Sequence, residues 1–227
     1  MRRFSAAVAL WGVVGLHVPA ARAQSTGADP GRIELSAGAL WVGHQALGST
    51  AANETTSTGA SLRLFSTSSD LAGAAGFEGR VGVRLSHAIV ATAEASYSKP
   101  QLRVSITNDI ENSTAVTAIE TMQQFMIGGA VVWYLPYRFG ASRVAPFVTA
   151  GGGTLRQLHE AATLVATGRY YQFGGGVTHL FASRPNRRLK GLGLRAEARA
   201  IVRQQGVAFD TRAHLAPTLA AALFARF

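Results

Sequence analysis

The stretch Leu192-Gly193-Leu194-Arg195-Ala196-Glu197-Ala198-Arg199-Ala200-Ile201-Val202-Arg203 decides the fold. Leu192, Leu194, Ala196, Ala198, Ala200 and Val202 fill one set of alternate positions. Gly193, Arg195, Glu197, Arg199, Ile201 and Arg203 fill the other. Side chains along a β-strand point alternately to opposite faces, so this stretch is a strand with an oily face and a charged face. Four charges fall on one face and none on its partner, a separation that chance does not readily give.

The same period of two recurs on both sides of it. In 77–85, Phe77, Gly79, Val81, Val83 and Leu85 oppose Glu78, Arg80, Gly82 and Arg84. In 89–97, Ile89, Ala91, Ala93, Ala95 and Tyr97 oppose Val90, Thr92, Glu94 and Ser96. In 33–42, Ile33, Leu35, Ala37, Ala39 and Trp41 oppose Glu34, Ser36, Gly38, Leu40 and Val42. In 123–135, Phe125, Ile127, Val131, Trp133 and Leu135 oppose Gln124, Met126, Ala130 and Tyr134. Segments 144–156 and 169–181 are glycine-rich and less clean. The last, 215–227, puts Leu215, Leu219, Ala221, Leu223, Ala225 and Phe227 together. These make an even number of segments, each near ten residues. At roughly 3.3 Å per residue and a tilt of about 40°, ten residues rise about 25 Å, the height of an outer-membrane apolar band.

A soluble sandwich also alternates, so the faces must be compared. In a membrane barrel the oily side chains meet lipid and the polar ones fill the interior. The oily faces here are rich in alanine, too small in volume to pack a soluble core tightly. The opposite faces mix Arg, Glu, Thr, Ser and Gly, which can pair within a narrow lumen. Trp41, Tyr97, Trp133 and Phe227 lie near segment ends, where interfacial aromatic girdles belong. In hydrocarbon a sheet cannot leave an edge unpaired, so the strands must close. The reading is therefore an all-β, eight-stranded antiparallel up-and-down transmembrane barrel over 33–227. A soluble periplasmic ligand-binding barrel is its main structural rival.

Composition agrees. Charged residues are 15% of the chain against 48% apolar, and a water-soluble domain carries roughly 25% charged residues. Cysteine is absent, which excludes a disulfide framework and a thiolate metal site. The formal net charge is +10, carried almost wholly by arginines spread through the strands rather than gathered in an arm or helical stripe. That distribution, with an export signal, argues against nucleic acid as a partner.

The export signal is residues 1–23: Arg2 and Arg3, the short apolar run Ala6 to Leu16, then Ala21-Arg22-Ala23 before Gln24. The run is too short for a membrane-spanning helix, and no later segment reaches the required length. Residues 24–32 are expected to be a short periplasmic segment.

Connections are expected to alternate in length. Short turns fall near Ser86–Ala88, 136–142 and 183–190, facing the periplasm; long loops fall at 43–76, 98–122, 157–168 and 204–214, facing outside. Within the long loops, Leu62-Arg63-Leu64-Phe65 and Leu102-Arg103-Val104-Ser105-Ile106 read as outward extensions of strands. Asn53-Glu54-Thr55 and Asn112-Ser113-Thr114 match the glycosylation pattern but read as ordinary polar loop residues in a bacterial-type export context.

The expected lumen charge network is Glu34, Glu78, Arg80, Arg84, Glu94, Arg195, Glu197, Arg199 and Arg203, with Arg156 beside them. Excess arginine could form an anion-selective path. Structural pairing is the preferred reading, because eight strands leave almost no free lumen. The histidines His44, His87, His159, His179 and His214 show no metal spacing. No serine–histidine–acid set is legible, and neither His159-Glu160 nor His179 with Ser183 resembles the His-x-Ser motif of lipid A deacylases. Gly151-Gly152-Gly153 and Gly174-Gly175-Gly176 lack the following helix and lysine of a phosphate loop, and read as glycines that let a small barrel's wall bend.

The ending, Leu219, Ala221, Leu223, Ala225 and terminal Phe227 at alternate positions, resembles the insertion signal of bacterial outer-membrane proteins. With the signal peptide and the amphipathic segments, the chain resembles the small OmpA/OmpX/OmpW-like eight-stranded class. The resemblance implies delivery to the bacterial outer membrane, insertion by the outer-membrane assembly machinery, and contact with outer-membrane lipids and lipopolysaccharide, as a monomer. The expected function is non-enzymatic: an envelope-structural or surface-interaction protein with minor small-molecule passage, needing no cofactor and no metal. An OmpW-like channel for small apolar compounds and a lipid A-modifying barrel enzyme are the alternatives.

Overall fold

A computed structural model describes residues 31–55, 57–107, 116–136, 144–159, 165–183, 187–206 and 213–227. The signal peptide expected at 1–23 and most of the segment 24–32 lie outside these residues. The described chain is all β. Its strands are β1 (Ile33–Val42), β2 (Gln45–Thr55), β3 (Ser61–Leu71), β4 (Ala74–Arg84), β5 (Ile89–Ser98), β6 (Gln101–Thr107), β7 (Val116–Tyr134), β8 (Val144–His159), β9 (Val165–Ser183), β10 (Gly191–Gln205) and β11 (His214–Arg226).

Eight of them close a ring in the order β1-β4-β5-β7-β8-β9-β10-β11, each neighbour antiparallel, with β11 returning to β1. The seam runs from Glu34 opposite Arg226 to Val42 opposite Thr218. The ring strands coincide with the eight alternating segments of the sequence. Closure leaves no strand edge within the ring, which a sheet in hydrocarbon requires.

The faces divide as alternation requires. Leu194, Leu219, Leu223, Phe77, Val81, Ile127 and Trp133 are among the exposed apolar side chains on the outside. Glu34, Glu78, Arg80, Glu94, Arg195, Glu197, Arg199 and Arg203 are buried inside. An outward belt of that extent is unstable against water and suited to lipid.

The loop expectation needs correction. Residues 43–76 and 98–122 are mostly strand, because β2, β3 and β6 continue β1, β4 and β5 past brief interruptions. Together with the start of β7 they form a second antiparallel sheet, β2-β3-β6-β7, beyond the belt. One interruption is Lys99-Pro100, where proline has no N–H for the ladder. Its carbonyl instead accepts from the Met122 N–H at 2.9 Å. The Ser- and Thr-rich composition that reads as loop is also that of a strand exposed on both faces, and the partners that stabilise it are remote in sequence.

At the opposite end the turns are tight where described. Between β4 and β5, Ser86 Oγ accepts from the Ile89 N–H at 3.1 Å, and the Leu85 N–H donates to the Ile89 carbonyl at 2.9 Å.

Candidate functional site

The inner faces of β1, β4, β5, β10 and β11 carry the charges, and register brings them to one level. Arg80 stands directly opposite Glu94. Glu34 faces Gly82, and Glu78 faces Gly38. Glu94 faces Gly128 on its other side. Glu197 and Arg199 face Gly176 and Gly174. Each inner glutamate thus has a glycine across the ladder, which leaves room for long side chains to lie over the wall. A Cβ at Gly176 would run into the Ala196 carbonyl and come within 2.8 Å of the Phe147 ring.

Arg80 is the hub: its guanidinium meets Glu197 at 2.8 Å, Glu78 at 3.1 Å and Glu94 at 3.7 Å. Arg195 meets Glu197 at 3.1 Å and Glu34 at 3.8 Å. Arg199 pairs closely with Glu78 and reaches Glu197 at 3.6 Å and Glu94 at 3.8 Å. Arg226 binds Glu34 at 2.9 Å. Glu34, Glu78, Glu94 and Glu197 are matched by Arg80, Arg195, Arg199 and Arg226, so the formal charges of the network cancel. Neutral groups complete it: Tyr170 donates its hydroxyl proton to Glu94 at 3.1 Å, and Gln172 donates to the same carboxylate. Each of the four carboxylates lies within 4 Å of at least one guanidinium, and Glu94 takes its hydrogen bonds from the neutral Tyr170 and Gln172.

Two residues expected in this network lie elsewhere. Arg84 is half-buried at the short-turn mouth, donating to the His87 carbonyl at 3.2 Å, with its guanidinium 5.5 Å from the Tyr134 ring centre. It lines a cavity of about 310 Å³ with His87, Tyr134 and Arg226. Arg156 points outward and is exposed, because Leu155 and Gln157 hold the inward positions of β8. The glycine run Gly151-Gly152-Gly153 hides the phase of that strand, and an outward arginine is tolerated near the rim. Arg203 is inside but apart from the network: its Nη1 donates to Gln45 Oε1 at 2.7 Å, and among the described residues no carboxylate pairs with it.

Sequence reasoning missed Arg226, Tyr170, Gln172, Gln124 and Gln157. Arg226 is the sole charge on the inner face of β11, so alternation alone gave it no weight. The glutamines form a chain at the outer level, Gln157 to Gln124 at 3.1 Å and Gln124 to Ser98 at 3.4 Å.

Apolar clusters lie on both sides of the charges. Toward the short turns lie Val90, Val132, Tyr134 and Phe147. Toward the outer sheet lie Leu40, Val42, Met126, Leu155, Ile201 and Ala216. Leu47, Leu71, Leu102 and Met122 close the far end at the foot of the outer sheet. Among the described residues no cluster of three or more metal-ligating side chains occurs. His44 lies 3.3 Å from Asp70 and His159 2.8 Å from Glu120, both at the outer end; His179 is exposed on the outward face.

No family model matches the sequence, and no curated protein does. Solved structures do match. Neisserial surface protein A aligns over 88% of this chain and 99% of its own, at 15% identity and a TM-score of 0.51. Ail, the attachment invasion locus protein of Yersinia pestis, aligns over 87% of this chain and 99% of its own, at 11% identity and a TM-score of 0.39. Ail in complex with the heparin analogue sucrose octasulfate gives 12% identity and a TM-score of 0.42. Ring closure, strand number, the outward apolar belt and the match to the neisserial protein agree: this chain has the fold of the small eight-stranded outer-membrane β-barrels.

Proposed function

We propose that the chain is a non-enzymatic protein of the bacterial outer membrane, in which a sealed barrel anchors a surface-exposed sheet that meets external partners. The observation that carries this reading is the filled lumen: a neutralised charge layer lies between two apolar layers, and a third apolar cluster underlies the outer sheet. Water-filled passage requires a continuous polar path, and apolar side chains at these levels weigh against one. The part with free surface is β2-β3-β6-β7, which leaves Leu62, Phe65, Ile106, Val116 and Ile119 exposed beyond the belt. Residues 1–23 would direct export, with cleavage before Gln24, and the outward row ending at Phe227 would serve the assembly machinery. Outward Arg156 and Arg169, both exposed on adjacent strands near the outer rim, suit the phosphates of lipopolysaccharide.

The test has two arms. An epitope inserted at Gly59, in the β2–β3 turn where nothing lies within 4 Å of a built Cβ, should be bound by antibody on intact cells. The purified barrel should give no stepwise conductance in planar bilayers. Steady channel steps, or an epitope reachable only after lysis, would overturn the reading.

A further inference from the structure

At the outer end of the lumen, Arg203 is a buried cation with no counter-charge among the described residues. Its side chain is 4% exposed. Nη1 donates to Gln45 Oε1 at 2.7 Å, while Nε and Nη2 have no hydrogen-bond partner. Those two N–H groups form the parallel side-on edge of the guanidinium, the edge that grips a carboxylate or phosphate through two hydrogen bonds. Gln45, 2% exposed, uses its amide oxygen on Arg203 and leaves Nε2 without a partner. Ser69, 5% exposed and with its Oγ unpartnered, lies on the same inner face, two residues along β3 from Leu71, which is opposite Gln45. The network deeper in the lumen offers no relief, since its four carboxylates are matched by four other arginines. A guanidinium removed from water is tolerated when it is paired and hydrogen-bonded, and here Nε and Nη2 meet no acceptor among the described residues.

We propose that Arg203 and Gln45 form an internal binding site for a small oxyanion, held side-on by Nε and Nη2 of Arg203 and by the Gln45 amide N–H. The chemistry is that of a phosphate group, which can come from free phosphate or from a lipid headgroup. Enclosure favours the free ion: the unpartnered atoms are buried on the inner face, in residues at most 5% exposed.

The test uses the purified chain in neutral detergent micelles, unfolded by urea and read by the gel shift between folded and unfolded barrel. Inorganic phosphate is added at constant ionic strength against chloride in one arm. In the other, the micelles carry a phosphorylated glycolipid and no free phosphate. At ten times its dissociation constant, phosphate should raise the folded-to-unfolded ratio of the parent about tenfold. Arg203→Gln, lacking the cation, should not respond. Gln45→Glu supplies an internal carboxylate to the same guanidinium, and should be more stable than the parent without phosphate and unresponsive to it. If Arg203→Gln fails to fold, Gln45→Glu alone decides. A response only in the glycolipid arm assigns the site to a headgroup. Absence of response in both arms, or an equal response in parent and Gln45→Glu, overturns the proposal.

Discussion

At the scale of single residues, Glu197 holds the most exposed position in the energetic sense. It is buried and lies within 2.8 Å of Arg80, 3.1 Å of Arg195 and 3.6 Å of Arg199. Buried ion pairs add little net stability, because desolvation offsets their attraction, yet removing one partner strands the others. Glu197→Gln should therefore lower the unfolding free energy by about 3–5 kcal/mol in micelles, measured by urea titration. A loss below about 1 kcal/mol would mean that solvent reaches the network and that the lumen is wetter than its packing implies. The identities of most network residues were legible, since alternation put Arg195, Glu197 and Arg199 on one face of a single strand. Their glycine partners were not. Opposition of Glu197 to Gly176 depends on which strand lies beside which, and in what register, and no pattern within one strand carries that information. The glycines therefore read as bends, although at Gly176 the tightest constraint is space. Arg226 escaped for a related reason: one charge among Ala220, Ala222 and Phe224 carries no periodic signal.

At the scale of elements, legibility tracked the cleanliness of alternation. Strand β10 alternates throughout, and both its faces lie where the sequence put them. Strand β8 does not alternate across its glycine run, and there the phase of Arg156 came out wrong. Strands β2, β3 and β6 were read as loop with outward extensions, because polar strands exposed on both faces lack the contrast that marks a half-buried strand. The facing of β10 is testable directly. Leu194 is 50% exposed on the outward face, between Leu192 at the short-turn end and Val202 toward the outer sheet. Leu194→Arg should cost about 2–4 kcal/mol if this position sits near the bilayer midplane, the penalty expected for arginine on the lipid face. Assembly yield in cells and urea midpoint in bilayer vesicles would both read it. Wild-type values for both would show that the oily face does not meet lipid.

At the scale of the whole molecule, the two sheets differ in what they need from each other. The ring closes through β1 with β4 and through β1 with β11, and neither pairing involves the outer sheet. Val42 stands directly opposite Ala74, so the hairpin β2–β3 leaves the ring and re-enters it at one point. Joining His44 to Ala72 would leave Gly43, His44, Ala72 and Gly73 as a four-residue connection, a common length for a hairpin. What the ring would lose is Leu47 and Leu71 from the outermost apolar cluster, with Gln45 beside Arg203. The charge layer and the apolar layers flanking it come entirely from ring strands. The shortened chain should therefore still fold into a compact barrel in detergent, migrating differently in SDS gels before and after boiling, as the parent should. Its midpoint in urea should fall, and Met122 and Leu102 should become accessible to solvent-borne labels or protease. Loss of the boiling-dependent shift in the shortened chain, with retention in the parent, would show that the outer sheet is part of the folding unit. In that case the division into a self-sufficient anchor and a separable surface element would fail, and the interaction surface could not be exchanged without refolding the barrel.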